Sequence, residues 1–105
     1  MNEIAIIGVG QTAFTRACGI SIQELCFEAF KEAVEDAGVS PKDLDGSIIC
    51  SAPEYDRQRS PAGVISEYLG LTPKPTFYCE TICSSSSTGL KAAYALIKSG
   101  LHDAV

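Results

Sequence analysis

The sequence predicts a mostly parallel α/β fold, and three observations carry that prediction. Short apolar runs alternate with helical patterns in the order strand, helix, strand, helix, strand, helix, strand. The first run, Ile4-Ala5-Ile6-Ile7, is apolar throughout, as a strand buried on both faces of a parallel sheet tends to be. The chain has 105 residues, 46% hydrophobic and 20% charged, which suits one globular domain and neither a disordered nor a collagenous chain.

Each element has its own signal. Residues 4–7, ended by Gly8-Val9-Gly10, are expected to be a central strand. Over residues 21–37, Ile22, Leu25, Cys26, Ala29, Phe30, Ala33, Val34 and Ala37 recur at three- and four-residue intervals, one face of an amphipathic helix. Ser21 with Glu24 forms a capping-box signature, and Gly38 suits a left-handed C-cap. After turns at Ser40-Pro41 and Asp45-Gly46, residues 47–52 read as the second strand and residues 54–59 as a polar loop. A short helix follows from about Ser60, with Pro61 at its first position and Gly70 past its end. Thr76–Cys79 reads as the third strand, placed at a sheet edge by Pro73 and Pro75. A third helix spans residues 84–99 until Gly100, and Asp103-Ala104-Val105 opens a fourth strand. That helix has apolar residues on more than one side, which predicts burial between layers, and an isolated half-sheet of this kind should expose an apolar patch.

Charge and composition exclude several function classes. Eight Lys and Arg against thirteen Asp and Glu give a formal charge of -5, and the acids concentrate on the helix before Ala37, so nucleic acid is a poor partner. The sequence holds no apolar run of about 18 residues to span a membrane. Its start, Met1-Asn2-Glu3-Ile4, lacks the basic flank of a signal peptide, which favours a cytoplasmic protein. Cys18, Cys26, Cys50, Cys79 and Cys83 are odd in number and lie in apolar stretches, so reduced thiols are expected rather than a disulfide framework. Cys79 and Cys83 are the one close pair and His102 the one imidazole, too few for a zinc set, so no metal site is expected. Asp43, Asp45, Glu54 and Asp56 read as turn and loop acids without the spacing of a calcium loop. Gly8-Val9-Gly10-Gln11-Thr12-Ala13 loosely matches a dinucleotide-binding turn. Residues 14–19 nevertheless separate it from the next helix, which a Rossmann turn would open at once.

The chemistry-bearing stretch is Cys79-Glu80-Thr81-Ile82-Cys83-Ser84-Ser85-Ser86-Ser87-Thr88-Gly89-Leu90, where a strand runs into a helix that opens on small hydroxyl residues. Cys83 falls at the helix mouth. Backbone N–H groups there lack internal partners and carry the positive end of the helix dipole, so they can stabilise a thiolate or an oxyanion on a thioester carbonyl. Composition by itself equally allows Cys83 to be a small apolar residue and the serines to be caps.

Spacing decides between them. Glu80, Cys83, Gly89-Leu90-Lys91-Ala92-Ala93-Tyr94 and Ile97-Lys98-Ser99-Gly100-Leu101-His102-Asp103 resemble the nucleophile segment of the thiolase superfamily, especially the sterol-carrier-protein type and the archaeal and bacterial acetyl-CoA acetyltransferases. Residues 6–14 resemble the opening of the same enzymes. The resemblance covers the whole chain but implies only the amino-terminal part of a longer protein: residues 1–105 form an incomplete thiolase N-terminal domain, a truncated βαβαβα(β) half-domain. It implies that Cys83 is the nucleophile of an acyl-CoA acyltransferase acting through an acyl-cysteine, by Claisen condensation or thiolysis. Coenzyme A thioester is then the substrate, with no permanently bound cofactor. The backbone N–H of Cys83 would share an oxyanion hole with a glycine of the second half, which also supplies a His and a second Cys. The same resemblance makes Thr76–Cys79 the strand of a homodimer interface, and some relatives dock a small zinc-ribbon and OB-fold partner. Many relatives have glycine where this chain has Ser86, a side chain near the acyl site. Arg57 and Arg59 could reach a coenzyme A phosphate or a neighbouring subunit but are expected to be solvated, and His102 is expected on the surface. A non-catalytic acyl-CoA-binding or assembly module of the same fold is the alternative.

Overall fold

The computed structural model describes residues 3–16, 19–52 and 59–105. Cys18, Glu54, Asp56 and Arg57 lie outside them. Two strands, β1 (Ser47–Cys50) and β2 (Thr76–Cys79), pair in parallel, with Ser47 opposite Thr76 and Cys50 opposite Cys79. The crossover between them carries helix α2 (Pro61–Tyr68). Helix α1 (Ile22–Ala37) precedes β1 and helix α3 (Ser85–Lys98) follows β2.

Alternation along the strands builds three layers. Ser47 and Ile49 face α2, whereas Ile48 and Cys50 face α3, whose Gly89 backbone packs onto the Cys50 sulfur. On the α2 side, Ile65, Leu69 and Leu71 are buried, with Ile22, Cys26, Phe30, Leu44 and Ile49 closing around them. Beside this apolar cluster, the hydroxyls of Ser47, Ser66 and Thr76 form a ring of contacts at 2.8 to 3.2 Å, which lets Ser66 be wholly buried without an orphaned polar group.

Local signals translate directly into helix ends. Ser21 Oγ accepts the Glu24 N–H at 3.2 Å while the Glu24 carboxylate accepts the Ser21 N–H at 3.2 Å, the full reciprocal box. Gly38 closes α1 at φ 71°. Pro61 opens α2, Gly70 follows it at φ 76°, and Gly100 follows α3 at φ 81°.

Two predicted strands are corrected. Residues 4–7 are not a central strand: they pair with nothing in the sheet, and Ile6 and Ile7 are 74% and 59% exposed. Their neighbours Gly8 and Gly10 instead lie on α1 so closely that a Cβ on either would meet the Ala33 or Ala29 carbonyl at 2.3 or 2.0 Å. Asp36 fastens the segment by accepting the Val9 N–H at 3.0 Å. That close helix contact accounts for a glycine at both positions. Asp103-Ala104-Val105 forms no ladder either, being held by Asp45 through a backbone bond from Asp45 N–H to the Ala104 carbonyl at 3.0 Å. The edge of β1 away from β2 consequently borders a slot of about 430 Å³, lined by consecutive residues 46–50, by α1 with Ala5, Ile7 and Gly8, by α3 and by residues 103–105.

His102 is likewise corrected, since it is buried, not on the surface, at 8% exposure. Its ring covers Gly46, meets the Phe77 ring edge-on at a centroid distance of 6.3 Å, and places Nδ1 3.3 Å from the Asp45 carboxylate. Helix α3 is less buried than its pattern predicts, with Leu90 at 61% and Tyr94 at 53% exposure, whereas the expected apolar surface is present and includes Phe14 and Leu101.

Candidate active site

The strand-to-helix turn from β2 into α3 presents Cys83. Cys79 ends the strand, residues 82–84 form one turn of 3-10 helix, and α3 starts at Ser85, so Cys83 sits two residues ahead of the α-helix with its thiol free and exposed. The residue before it, Ile82, adopts φ 54°, a left-handed conformation that a β-branched side chain disfavours.

Hydrogen bonds from both sides hold this turn. The Glu80 carboxylate accepts the Ile82 N–H at 2.7 Å. Ser85 Oγ accepts the Thr81 N–H at 2.9 Å, and its proton lies between the Ile82 carbonyl at 2.8 Å and the Ser51 carbonyl at 2.9 Å. Ser85 is buried, so one hydroxyl ties the turn to the carboxyl ends of both strands. Ser84 Oγ donates back to the Thr81 carbonyl at 2.9 Å, and the Thr81 and Thr88 hydroxyls meet at 2.8 Å. Ser84, Ser85 and Thr88 are therefore pins of the turn, and Ser84 does not cap α3 with its side chain. Ser86 is exposed and borders the slot beside β1.

Backbone donors divide in a way that matters for chemistry. The Ser84 N–H bonds the Thr81 carbonyl at 3.2 Å and the Ser85 N–H bonds the Ile82 carbonyl, whereas the Cys83 N–H takes part in none of these bonds. An exposed sulfur next to an N–H without a partner among the described residues, at the start of a helix, is suited to attack on a carbonyl whose oxygen becomes negative.

Other sequence candidates fall elsewhere. Cys50 and Cys79 are cross-strand neighbours beneath α3, and burial, with Cys79 beside it, pushes the Cys50 thiol up from its ordinary value. Among the described residues no three His, Cys, Asp or Glu side chains converge as a metal site. His102 lies past the carboxyl end of α3, a helix of 14 residues and hence about 21 Å long, so it does not approach Cys83. Arg59 is exposed, and Asp43 caps the turn after α1 by accepting the Ser40 N–H at 2.8 Å. Sequence reasoning missed the left-handed Ile82 and the grip of Glu80 and Ser85 on it. No local rule assigns a positive φ to isoleucine, because only the surrounding bonds impose it.

Comparison with known proteins places this geometry in context. Residues 4–105 match the family described as thiolase, N-terminal domain. The whole chain is 36% identical to an acetyl-CoA acetyltransferase from Methanothermobacter thermautotrophicus and 38% identical to one from Methanocaldococcus jannaschii, covering 28% and 27% of those proteins. Among solved structures, 3-oxoacyl-acyl-carrier-protein synthase III from Aquifex aeolicus superimposes with a TM-score of 0.72 at 29% identity, over 82% of this chain and 28% of that one. The chain thus spans little more than a quarter of the length of these relatives.

Proposed function

The chain belongs to the thiolase family through its N-terminal domain, and from that premise we infer that the protein is an acyl-CoA acyltransferase whose nucleophile is Cys83. The observation that carries the reading is the exposed Cys83 thiol on the turn into α3, beside a backbone N–H that has no partner among the described residues. Attack of the sulfur on a thioester carbonyl forms an acyl-cysteine and expels the coenzyme A thiolate, while the thiol proton passes to a base. The Cys83 N–H then faces the oxygen on which charge develops. In condensation the acyl group moves on to a carbanion, and in thiolysis it arrives by cleavage of a 3-ketoacyl thioester.

The base is not His102, which the fold holds against Asp45 and Gly46 beyond the far end of α3. On this reading the activating His and second Cys belong to a second half-domain, with residues 1–105 as the amino-terminal part of the first. Coenzyme A thioester enters as substrate, and no resident cofactor is part of the reading. The open edge of β2, with Phe77 at 42% and Tyr78 at 38% exposure, supports a homodimer through Thr76–Cys79. A small zinc-ribbon and OB-fold partner and a cytoplasmic location belong to the same reading. No described helix is long and apolar enough to cross a membrane.

The test is acyl trapping. The protein at the relatives' length, incubated with acetyl-CoA and quenched in acid, is expected to gain one acetyl group on the peptide containing Cys83. Cys83→Ala is expected to abolish both label and turnover while leaving the circular dichroism spectrum unchanged. Acyl transfer that survives this substitution overturns the assignment, and binding of acetyl-CoA without any label supports the non-catalytic module instead.

A further inference from the structure

We propose that Glu80 is a positioning residue for Cys83, holding Ile82 in its left-handed conformation so that the Cys83 N–H is directed at the substrate. The inference rests on the reading of Cys83 as the acylated nucleophile and deepens it.

The geometry carries the argument. A β-branched residue at φ 54° persists only where its surroundings over-determine it. At Ile82 both flanking peptide groups are gripped. On the amino side, the Glu80 carboxylate accepts the Ile82 N–H at 2.7 Å, a charge-assisted bond. On the carboxyl side, the Ile82 carbonyl accepts the Ser85 N–H and, at 2.8 Å, shares the Ser85 hydroxyl proton with the Ser51 carbonyl. The peptide joining Ile82 to Cys83 is planar, and in a trans peptide the N–H points opposite to the C=O. Because the Ile82 carbonyl is taken up by buried Ser85, the Cys83 N–H across the same peptide points to the opposite side, away from Ser85. Without an acceptor at position 80, the Ile82 N–H loses its protein partner, and rotation about Ile82 relieves the strain by swinging that donor and the sulfur together.

Acceptor and conformation can be separated by substitution. Glu80→Ala deletes the acceptor. Glu80→Asn restores one, because an Asn carbonyl reaches the N–H two residues on as an Asx-turn. Ile82→Gly removes the need for an acceptor, since glycine occupies positive φ freely.

The experiment measures the single-turnover rate of Cys83 acylation by acetyl-CoA in the protein at the relatives' length, with KM and kcat alongside. Glu80→Ala is expected to lower the acylation rate and kcat about tenfold or more, with KM for acetyl-CoA changed less than about twofold, as a displaced reacting group does. Glu80→Asn, and Ile82→Gly placed in the Glu80→Ala background, are each expected to recover most of the loss. Acylation of Cys83 at the unaltered rate in Glu80→Ala overturns the positioning role alone. A loss that neither rescuing variant relieves also overturns it, because the carboxylate then acts otherwise than by holding Ile82. Absence of acylation at Cys83 in the unsubstituted protein overturns the nucleophile reading itself, and is seen before any variant is compared.

Discussion

Asp45 does at one position what a strand does along its length. Its carboxylate accepts the Asp103 N–H at 2.8 Å and the Ala104 N–H at 3.2 Å, and it lies 3.3 Å from His102 Nδ1. The Asp103 N–H chiefly holds the Asp45 carboxyl below its ordinary value of 3.8; burial opposes this, and Ala104 and His102 reinforce it. A carboxyl depressed in the folded state contributes stability above its unfolded value, and that contribution disappears as pH falls through the folded value. Stability is therefore expected to decline below about pH 4, and Asp45→Asn should flatten that part of the profile in urea titrations at successive pH values. An acid limb that is unchanged in Asp45→Asn would assign the pH dependence to other carboxylates. Asp45-Gly46 was legible as a turn, but its link to residues 102–104 was not, because nothing local connects positions nearly sixty residues apart.

Among the elements, the helices were read more faithfully than the strands. The boundaries of α1 follow from Ser21, Glu24 and Gly38, all within one turn of the ends they fix. Strand assignment depends on a partner, and residues 4–7 have the composition of a buried strand without its ladder, because their glycine-rich continuation rests on α1. The seam between β1 and α3 offers a sharper test. A Cβ on Gly89 would meet the Cys50 sulfur at 2.2 Å and Ile48 Cγ2 at 3.4 Å. Gly89→Ala is expected to destabilise the protein by about 1–3 kcal/mol through overpacking, measurable as a lower Tm. Cys50→Ala should recover much of that loss in the double variant, and additive losses would show that another contact limits the helix approach.

At the scale of the whole molecule, the buried core is small and the exposed apolar surface is large. Ile65, Leu69 and Leu71 alone are buried apolar side chains among the described residues, while Ile6, Phe14, Leu90 and Leu101 are well over half exposed. Exposed apolar surface on this scale seeks cover. The 105-residue polypeptide is expected to bind an apolar dye and to self-associate with concentration. A dye-silent, monodisperse 105-residue chain would show that it covers these side chains by itself.

Sequence alone determined the features that short-range physics controls: the α/β class, the capped helices, the parallel strand pair around α2, and Cys83 at the entrance of α3. Helix ends are set by side chains reaching backbone groups a few residues away, so the signal and its effect lie in the same window. Tertiary structure decided the rest. It withheld the ladder from residues 4–7, buried His102 over Gly46, and bent Ile82 into a left-handed turn between Glu80 and Ser85. Each outcome depends on what happens to be adjacent in space, and adjacency across tens of residues leaves no mark in the local pattern.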